Sequence, residues 1–257
     1  MKSKNKTVLV TGASSGIGAA IAEKFAANGY AVLLLGRDQK KLLATKKLCI
    51  ARSKKQNSQF IQSVAFDLNH LNQNKQKLLK QLNQLPPLKI LVNNAGIFSK
   101  QNLDEVQIDH WLQQFQTNLF SAVELTSFLW PFLKKNAGSI VNIASTLGIK
   151  PTVGTSAYSA SKAAMINWTT ALAQEGGAER IRANCICPGI VDTPIHDFHK
   201  QDFSQKAKTL QFITNLQLLP TVGQPEHIAE AAFFLGSEAS CWTTGSILNV
   251  DGGIHIK

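Results

Sequence analysis

The chain has 257 residues, 44% of them hydrophobic, and a formal net charge of +11 at pH 7. An α/β chain of this length commonly forms one domain, so we expect a single domain over residues 1–257. The best apolar run, residues 31–35, is far shorter than the ~20 residues of a membrane span, and the first residues lack the pattern of a secretory signal. These features exclude the membrane-spanning class and predict a soluble, cytoplasmic protein.

The cysteines and histidines give no sign of a disulfide or a metal site. Four cysteines are spread along the chain, at Cys49, Cys185, Cys187 and Cys241. They are too sparse for a disulfide framework and form no C-x-x-C pair, so we expect reduced thiols. His196 and His199 lie close together, but no carboxylate or cysteine stands beside them at a recognised ligand spacing, and we predict no metal.

Much of the positive charge falls within residues 37–55. Lysines and arginines crowded into one helical stretch usually mark a solvated outer face. No zinc finger, RNP-type aromatic motif or basic zipper accompanies them, so a nucleic-acid partner is not expected.

Short β-branched or leucine-rich runs alternate with helical stretches along the chain. The predicted strands are residues 7–11, 31–35, 60–66, 88–92, 138–143, 181–187 and 247–250. This alternation is typical of βαβ units, and continuous apolar runs indicate parallel strands buried on both faces. We therefore predict an α/β fold with a doubly wound parallel sheet and helices on both faces.

Three helices have recognisable limits. Residues 16–28 carry one apolar stripe and end before Gly29. A longer helix, capped by Asp109, runs toward Lys135. Residues 156–174 form the third, closed by a pair of glycines.

The turn between the first strand and the first helix carries glycines at Gly12, Gly16 and Gly18. Glycine lets the backbone turn sharply and approach a pyrophosphate closely, while N–H groups at the helix N-terminus offer partial positive charge. The turn therefore predicts a dinucleotide site. The spacing differs from G-x-G-x-x-G, and a plain glycine turn is the alternative.

Further motifs follow in a fixed order. They are Asp67 after the third strand, Asn93-Asn94-Ala95-Gly96 after the fourth, Asn118 in the long helix, Ser145 after the fifth strand, Tyr158-x-x-x-Lys162, Pro188-Gly189 followed by Thr193, and Asn249-Val250-Asp251-Gly252-Gly253. With the glycine turn, they resemble the short-chain dehydrogenase/reductase family along essentially the whole chain, nearest its 3-oxoacyl carrier-protein reductase-like branch. The resemblance implies a Rossmann fold and hydride transfer between a nicotinamide dinucleotide and a carbonyl or secondary alcohol.

The resemblance also implies which residues bind the dinucleotide. They are Gly12, Ser14, Ser15, Gly16, Ile17, Gly18, Arg37, Asp67, Leu68, Asn93, Ala95, Gly96, Tyr158, Lys162, Pro188, Gly189 and Thr193. By resemblance, Asp67 accepts from the adenine amino group, residues 93–96 pack beside the adenine ribose, and Thr193 binds the nicotinamide carboxamide. A helix cap at Asp67 and a turn without a ligand at residues 93–96 are the alternatives.

Tyr158 and Lys162 are four residues apart in a predicted helix, which places both side chains on one face. Reducing a carbonyl by hydride transfer creates an alkoxide that must receive a proton, so the site needs an acid/base at the reacting oxygen. A free tyrosine, with a pKa of ~10, is a poor base at neutral pH, and a lysine ammonium nearby favours the phenolate. We expect Tyr158 to be the acid/base; the resemblance adds that Lys162 binds the nicotinamide ribose.

Ser145 and Asn118 complete the predicted catalytic set. The hydroxyl of Ser145 can polarise the carbonyl, so Ser145 and Tyr158 are the predicted substrate contacts. The family spacing selects Ser145 over other loop serines. Asn118 resembles the family's helix-bending asparagine, which holds a water linking Lys162 to solvent, and an interior asparagine bonded only to backbone is the alternative.

The corner after the second strand bears on the choice of dinucleotide. In the family, an acid directly after this strand binds the adenosine ribose and repels a 2′-phosphate, and Gly36 stands there instead. Arg37 offers a guanidinium suited to a phosphate, so NADP(H) is favoured over NAD(H). Asp38 complicates this choice, because it could turn toward the ribose, pair with Arg37 or cap the next helix.

The substrate is the least determined feature. Residues 192–218, rich in Phe, His and Lys, are our candidate for a mobile substrate lid, and Phe198, Phe203, Phe212 and Ile213 suggest an apolar lining. Three activities stay open: a 3-oxoacyl carrier-protein reductase, whose acidic carrier would suit a basic protein; a reductase or dehydrogenase, including an NAD-dependent one, of a small ketone, sugar, polyol or steroid; and a regulator that has lost catalysis.

Two observations weigh on these alternatives. Asn136 and Glu179 stand where the carrier reductases have basic docking residues, which counts against the carrier. The intact Ser145, Tyr158 and Lys162 count against the regulator.

The resemblance further implies a homotetramer with two-fold symmetry. The helices near residues 113–133 and 157–173 carry more apolar side chains than one buried stripe needs, so we expect them in the interface.

Overall fold

A seven-stranded parallel sheet forms the centre of the computed structural model, which describes residues 6–53, 55–194 and 203–257. The strands are β1 (Thr7–Thr11), β2 (Ala31–Gly36), β3 (Ile61–Ala65), β4 (Leu88–Asn93), β5 (Ser139–Ile143), β6 (Arg182–Pro188) and β7 (Ile247–Val250). The α-helices of these ranges are α1 (Gly16–Ala27), α2 (Gln39–Arg52), α3 (Leu71–Leu82), α4 (Ile108–Phe115), α5 (Ser121–Lys135), α6 (Ser156–Gly177), α7 (Phe203–Leu216) and α8 (Pro225–Gly236).

The strand order is β3-β2-β1-β4-β5-β6-β7, with every neighbouring pair parallel. The order reverses between β1 and β4, which is where open α/β sheets bind ligands. The predicted doubly wound α/β fold is thus confirmed. The strand limits differ slightly from the prediction, and Phe60, predicted in β3, ends a 3₁₀ helix instead.

Helices cover both faces of the sheet, so every residue of β1 and β2 is buried. On one face α1 packs through Ile21 and Phe25, and the Phe25 ring lies 5.1 Å from that of Tyr30 and 5.2 Å from that of Phe233 in α8. Leucines of α3 and α5 pack on the other face. Each such buried side chain stabilises the folded state by roughly 1.5–3 kcal/mol, and this packing holds the strand ends in place.

The predicted helix from Asp109 to Lys135 consists of three segments. α4 and α5 are joined by a π-helical turn over Gln116–Phe120, a local widening that often marks functional sites. Asp109 does not cap the helix as expected. The N-cap is Gln107, and Asp109 lies in the first turn, where its carboxylate still interacts favourably with the helix dipole.

The helix α6 runs three residues beyond the predicted end and includes both closing glycines. Gly176 lies against Ile181, and a Cβ on Gly176 would stand 2.8 Å from the Ile181 carbonyl oxygen. The glycine is therefore needed for close packing onto β6 rather than as a helix stop.

Only part of the predicted lid is described. His196, Phe198 and His199 lie outside the described residues, and α7 forms most of the remainder. Within the described ranges, no three His, Cys, Asp or Glu side chains are grouped so as to hold a metal ion. In the same ranges, no helix combines the length and apolar character needed to cross a membrane.

Candidate active site

The loop after β1 and the loop after β4 are joined by hydrogen bonds at the point where the strand order reverses. The Thr11 hydroxyl accepts from the N–H groups of Asn94 and Ala95 at 2.9 and 3.0 Å, and the Asn94 side chain donates to the Thr11 carbonyl at 2.9 Å. Gly12 has φ of +63°, and a Cβ there would lie 2.9 Å from the Ala95 Cα. Only glycine suits this position. Thr11 directly precedes the first glycine of the turn and is a contact that the motifs did not single out.

The glycine turn is packed tightly and leaves the start of α1 free of protein anions. Gly16 lies against Thr193, whose Cγ2 is 3.2 Å from the Cβ position, and a Cβ on Gly18 would meet the Gly12 carbonyl oxygen at 2.4 Å. The first turn of α1 contains no acidic residue, and the N-cap Ser15 makes no side-chain capping bond. A phosphate is therefore well suited to this helix N-terminus, and the residues fit a dinucleotide.

The corner after β2 presents a cation to solvent. The side chain of Arg37 is 66% exposed, and its Nη1 lies 3.9 Å from an Asp67 carboxylate oxygen. Asp67 also caps a 3₁₀ turn by accepting from the N–H of Asn69. Asp38 accepts from the N–H of Lys41 at 3.0 Å and is the N-cap of α2, one of the three expected alternatives.

The glycine turn and the corner after β2 lie next to each other. Ser14 lies 3.6 Å from the Cβ position of Gly36, so the glycine turn and the β2 corner are in contact. Leu68 is buried beside Asp67, and Ile17 is partly buried against the core.

Ser145, Tyr158 and Lys162 are brought together at the end of β5, as predicted. The Ser145 side chain interacts with the Tyr158 hydroxyl, and the Ser145 hydroxyl accepts a hydrogen bond from the N–H of Leu147 at 3.2 Å. The Lys162 ammonium donates to the Ile143 carbonyl at 2.9 Å and lies 5.8 Å from the centre of the Tyr158 ring. All three side chains are more than nine-tenths buried.

Burial shifts both titratable groups of this cluster toward their uncharged forms. It raises the pKa of Tyr158 to about 12, although the hydrogen bond with Ser145 opposes that increase. It lowers the pKa of Lys162 to about 8. The expected effect was that the Lys162 ammonium favours the Tyr158 phenolate. In the protein alone, loss of solvation has the larger effect, because each charged form leaves water.

Asn118 is fully buried in the π-helical turn and is bonded to the loop after β4. Its Oδ1 accepts from the Ile97 N–H at 2.8 Å, and its Nδ2 donates to the Ile97 carbonyl and the Ser161 hydroxyl, each at 3.1 Å. A Cβ on Gly96 would lie 3.2 Å from Asn118 Oδ1 and 3.5 Å from Lys162 Nζ. Asn118 thus bonds to the backbone of Ile97, as expected for an interior asparagine with a structural role. That Asn118 holds a water linking Lys162 to solvent stays a prediction.

Asn93 points into the interior, where its amide donates to Asn142 at 2.9 Å and to Thr126 at 3.1 Å. The Asn93 side chain therefore stabilises the sheet, and side-chain contacts between this turn and a dinucleotide would come from its neighbours. On the other side of the site, Pro188 ends β6 and the N–H of Gly189 donates to the Val250 carbonyl at 3.1 Å.

Comparisons with known proteins agree with this geometry. The family model described as short chain dehydrogenase matches residues 6–203. The chain is 34% identical to the 3-oxoacyl-[acyl-carrier-protein] reductase of Chlamydia trachomatis, covering 97% of each chain, and 32% identical to an acetoacetyl-CoA reductase of Acinetobacter sp., covering 99% of each. The crystal structure of an actinorhodin polyketide ketoreductase variant with NADPH matches with a TM-score of 0.88 at 28% identity, covering 100% of this chain and 99% of that one.

The fold, the site and these relatives define a nicotinamide-dependent oxidoreductase that transfers a hydride between the dinucleotide and a carbonyl or secondary alcohol. The chain belongs to the short-chain dehydrogenase/reductase family.

The buried ammonium of Lys162 leads to a prediction for stability against pH. Its pKa falls from 10.5 to about 8 on folding, so between these values the unfolded state binds more protons. Wild-type stability relative to Lys162→Met should therefore rise as pH increases from about 8 to about 10.5. Urea unfolding of both proteins across this range measures the difference. Parallel stability curves would contradict the account.

Proposed function

We propose that this protein is an NADP(H)-dependent ketone reductase in which Tyr158 is the acid/base, and that 3-oxoacyl thioesters are its substrate class. The observation that carries the proposal is the buried cluster of Ser145, Tyr158 and Lys162 at the end of β5. The full-length relatives named as reductases of 3-oxoacyl-carrier and acetoacetyl-CoA substrates support the substrate class.

The surface beside α5 and α6 favours CoA-linked or other carrier-free thioesters over an acidic carrier protein. Asn136, at one expected docking position, is the C-cap of α5 and donates to the Phe132 carbonyl at 2.8 Å. Glu179, at the other, pairs with Lys134 at 2.5 Å. Neither position offers an unpaired cation to a carrier.

In the proposed mechanism the bound dinucleotide supplies the hydride, and the protein manages the proton. Ser145 donates a hydrogen bond to the substrate oxygen and polarises the carbonyl. Tyr158, held neutral by burial, gives its proton to that oxygen as negative charge develops there. The Lys162 ammonium, 5.8 Å from the ring centre, stabilises the phenolate that remains. In the oxidative direction the same groups act in reverse.

The residues proposed to hold the dinucleotide lie along the ends of β1 to β6. The N-terminus of α1 and its glycine turn take the pyrophosphate, and Arg37 takes a 2′-phosphate. Asp67 and the turn at residues 93–96 take the adenosine, while Lys162 takes the nicotinamide ribose. Thr193 takes the carboxamide.

The preference for NADP(H) rests on the corner after β2. Asp38, the residue that could have bound the ribose of NAD(H), is occupied as the N-cap of α2. Arg37 is exposed and only loosely paired with Asp67, so its guanidinium is available to a phosphate.

Residues 192–218 stay our proposal for the substrate lid. The N–H of Asp192 donates to the Gly223 carbonyl at 2.8 Å, and the Gly223 N–H donates to the Ile190 carbonyl at 3.2 Å. These bonds hold the start of the segment to Gly223, which follows its end in the chain. Ile213 of α7 is buried whereas Phe212 is exposed, so part of the expected apolar lining faces inward.

The assembly we propose is a homotetramer formed partly through α4, α5 and α6. Ile108 and Leu112, one turn apart in α4, and Phe120 at the end of the π-helical turn are exposed apolar side chains. A row of this kind on a helix next to the predicted interface suits contact with a second copy of the chain.

Tyr158→Phe tests the proposed acid/base. The ring and its packing remain but the transferable proton is lost, so dinucleotide binding should persist while turnover falls by orders of magnitude. The measurements are NADPH fluorescence titration and ketone-dependent NADPH oxidation. Tyr30→Phe, which removes the hydroxyl of the other tyrosine, is the control. Turnover retained in Tyr158→Phe would mean that another group donates the proton.

Arg37→Ala tests the cofactor assignment. Charge-assisted hydrogen bonds contribute about 1.5–3 kcal/mol, so kcat/KM for NADPH should fall roughly tenfold to a hundredfold while that for NADH changes little. Adding Gly36→Asp should reverse the preference, because the new carboxylate repels phosphate. Lys47→Ala, which removes a cation on the neighbouring helix α2, should have little effect on kcat/KM for either dinucleotide. The ionic strength is held fixed. A wild-type preference for NADH would show that the assignment is wrong.

The tetramer is tested by light scattering at micromolar concentration. The wild type should have the mass of four chains, and a double variant Leu112→Asp/Phe120→Asp should be smaller because charges enter the apolar contact. Leu43→Asp, an equally drastic change on the exposed face of α2, should leave the mass unchanged. A monomeric wild type would reject the proposal.

A further inference from the structure

Phe98 is an aromatic residue in direct contact with Tyr158 that belongs to none of the sequence motifs. It lies in the loop between β4 and α4, and its ring centre is 4.9 Å from that of Tyr158 at an interplanar angle of 84°. This is an edge-to-face contact, the favoured arrangement of two aromatic rings. Phe98 is half-buried, and its ring packs against that of the expected acid/base.

The backbone on both sides of Phe98 is fixed by side chains of one continuous helical segment. Asn118 binds both the N–H and the carbonyl of Ile97, at 2.8 and 3.1 Å. His110 Nε2 is hydrogen-bonded to the Ser99 hydroxyl at 2.5 Å, and Gln114 donates to the Ser99 carbonyl at 3.4 Å. Because both neighbours are held, the backbone of Phe98 is fixed by the fold, and the edge-to-face contact with Tyr158 restrains its ring.

The two amides that hold this loop are fully buried, one turn apart across the junction of α4 and the π-helical turn. Gln114 and Asn118 therefore form part of the core and fix the loop before any substrate binds. The Phe98 ring is consequently a rigid wall beside Tyr158 rather than a side chain that adapts to the substrate.

A rigid aromatic wall next to the reacting oxygen restricts the substrate. A methylene or methyl group can pack on the ring, whereas a hydroxyl placed there loses its hydrogen bonds to water and finds no partner. Ser145, the polar side chain that interacts with the Tyr158 hydroxyl, is the one proposed to bind the carbonyl oxygen itself.

We propose that Phe98 is a positioning and specificity residue: its ring holds Tyr158 in line with Ser145, and it selects ketones whose chain beside the carbonyl is apolar over hydroxylated ones. The inference rests on the proposed ketone reductase activity. It states which part of the substrate this site recognises, namely the chain next to the carbonyl. It favours acyl and alkyl ketones over sugar-like ketones.

The specificity role is tested with two matched substrates, ethyl 3-oxobutanoate and its 4-hydroxy analogue, which differ by one hydroxyl next to the carbonyl. The wild type should prefer the unsubstituted ester. Phe98→Leu should keep this preference, because leucine is apolar, but lose roughly tenfold in kcat since the ring contact is gone. Phe98→Ser should lose kcat similarly and also lose the preference. Leu103→Ala removes an exposed apolar side chain from the same loop and is the matched control.

The positioning role is tested without turnover by titrating Tyr158 through its absorbance at 295 nm in a Tyr30→Phe background, which leaves one tyrosine. Burial raises the pKa of Tyr158, so removing the covering ring in Phe98→Ala should admit water and shift the titration to lower pH. Leu103→Ala should titrate like the parent. General unfolding would also hydrate Tyr158, so far-UV circular dichroism at each pH checks that Phe98→Ala stays folded over the titration range, and only a shift in the folded variant supports the positioning role.

The two measurements separate the inference from the function on which it rests. If the wild type reduces neither ester, the proposed function fails while the tyrosine titration still decides the positioning role. If the wild type is active but Phe98→Leu and Phe98→Ser match Leu103→Ala in kcat and ester preference, and Phe98→Ala titrates like Leu103→Ala, the inference is overturned.

Discussion

The burial of the Lys162 ammonium group is the constraint on which the catalytic half of the molecule depends. A buried cation must find hydrogen-bond acceptors, and Lys162 donates to the carbonyl of Ile143, the last residue of β5. This bond fixes α6 against the end of the central sheet. Tyr158, one turn earlier on the same face, is then placed beside Ser145, the residue that follows β5 closely. The placement of α6 against the end of β5, and with it the position of the acid/base Tyr158, thus depends on one buried charge.

The dinucleotide half of the site is attached to this catalytic half through the loop after β4. Thr11 and Asn94 hold the start of that loop to the end of β1, and Gly96 lies in the narrow space between Asn118 and Lys162. A ligand lying across the switch point would therefore contact elements that are already joined. Such preorganisation lowers the entropic cost of aligning a hydride donor with a proton donor.

The fold could be predicted from the sequence, and so could the proximity of Tyr158 and Lys162, because both depend on local rules. Apolar runs separated by helices predict a parallel sheet, and a spacing of four places Tyr158 and Lys162 on one helix face. Other features depend on tertiary contacts that no local pattern encodes. Asn118 binds Ile97 only because a π-helical turn presents it to a distant loop, and Phe98 meets Tyr158 only through that anchorage. Similarly, the sequence left three roles open for Asp38. The hydrogen bond from the Lys41 N–H to its carboxylate identifies Asp38 as the N-cap of α2.

The central claim is that this site moves a hydride from the dinucleotide to a carbonyl carbon while the protein supplies the proton. The most direct measurement is mass spectrometry of the alcohol formed from a 3-oxoacyl thioester with NADPH deuterated at the transferable position of C4, in ordinary water. The account predicts one deuterium, bonded to the former carbonyl carbon, and an exchangeable proton on the new hydroxyl. An alcohol without deuterium, or consumption of the labelled NADPH without alcohol formation, would contradict it.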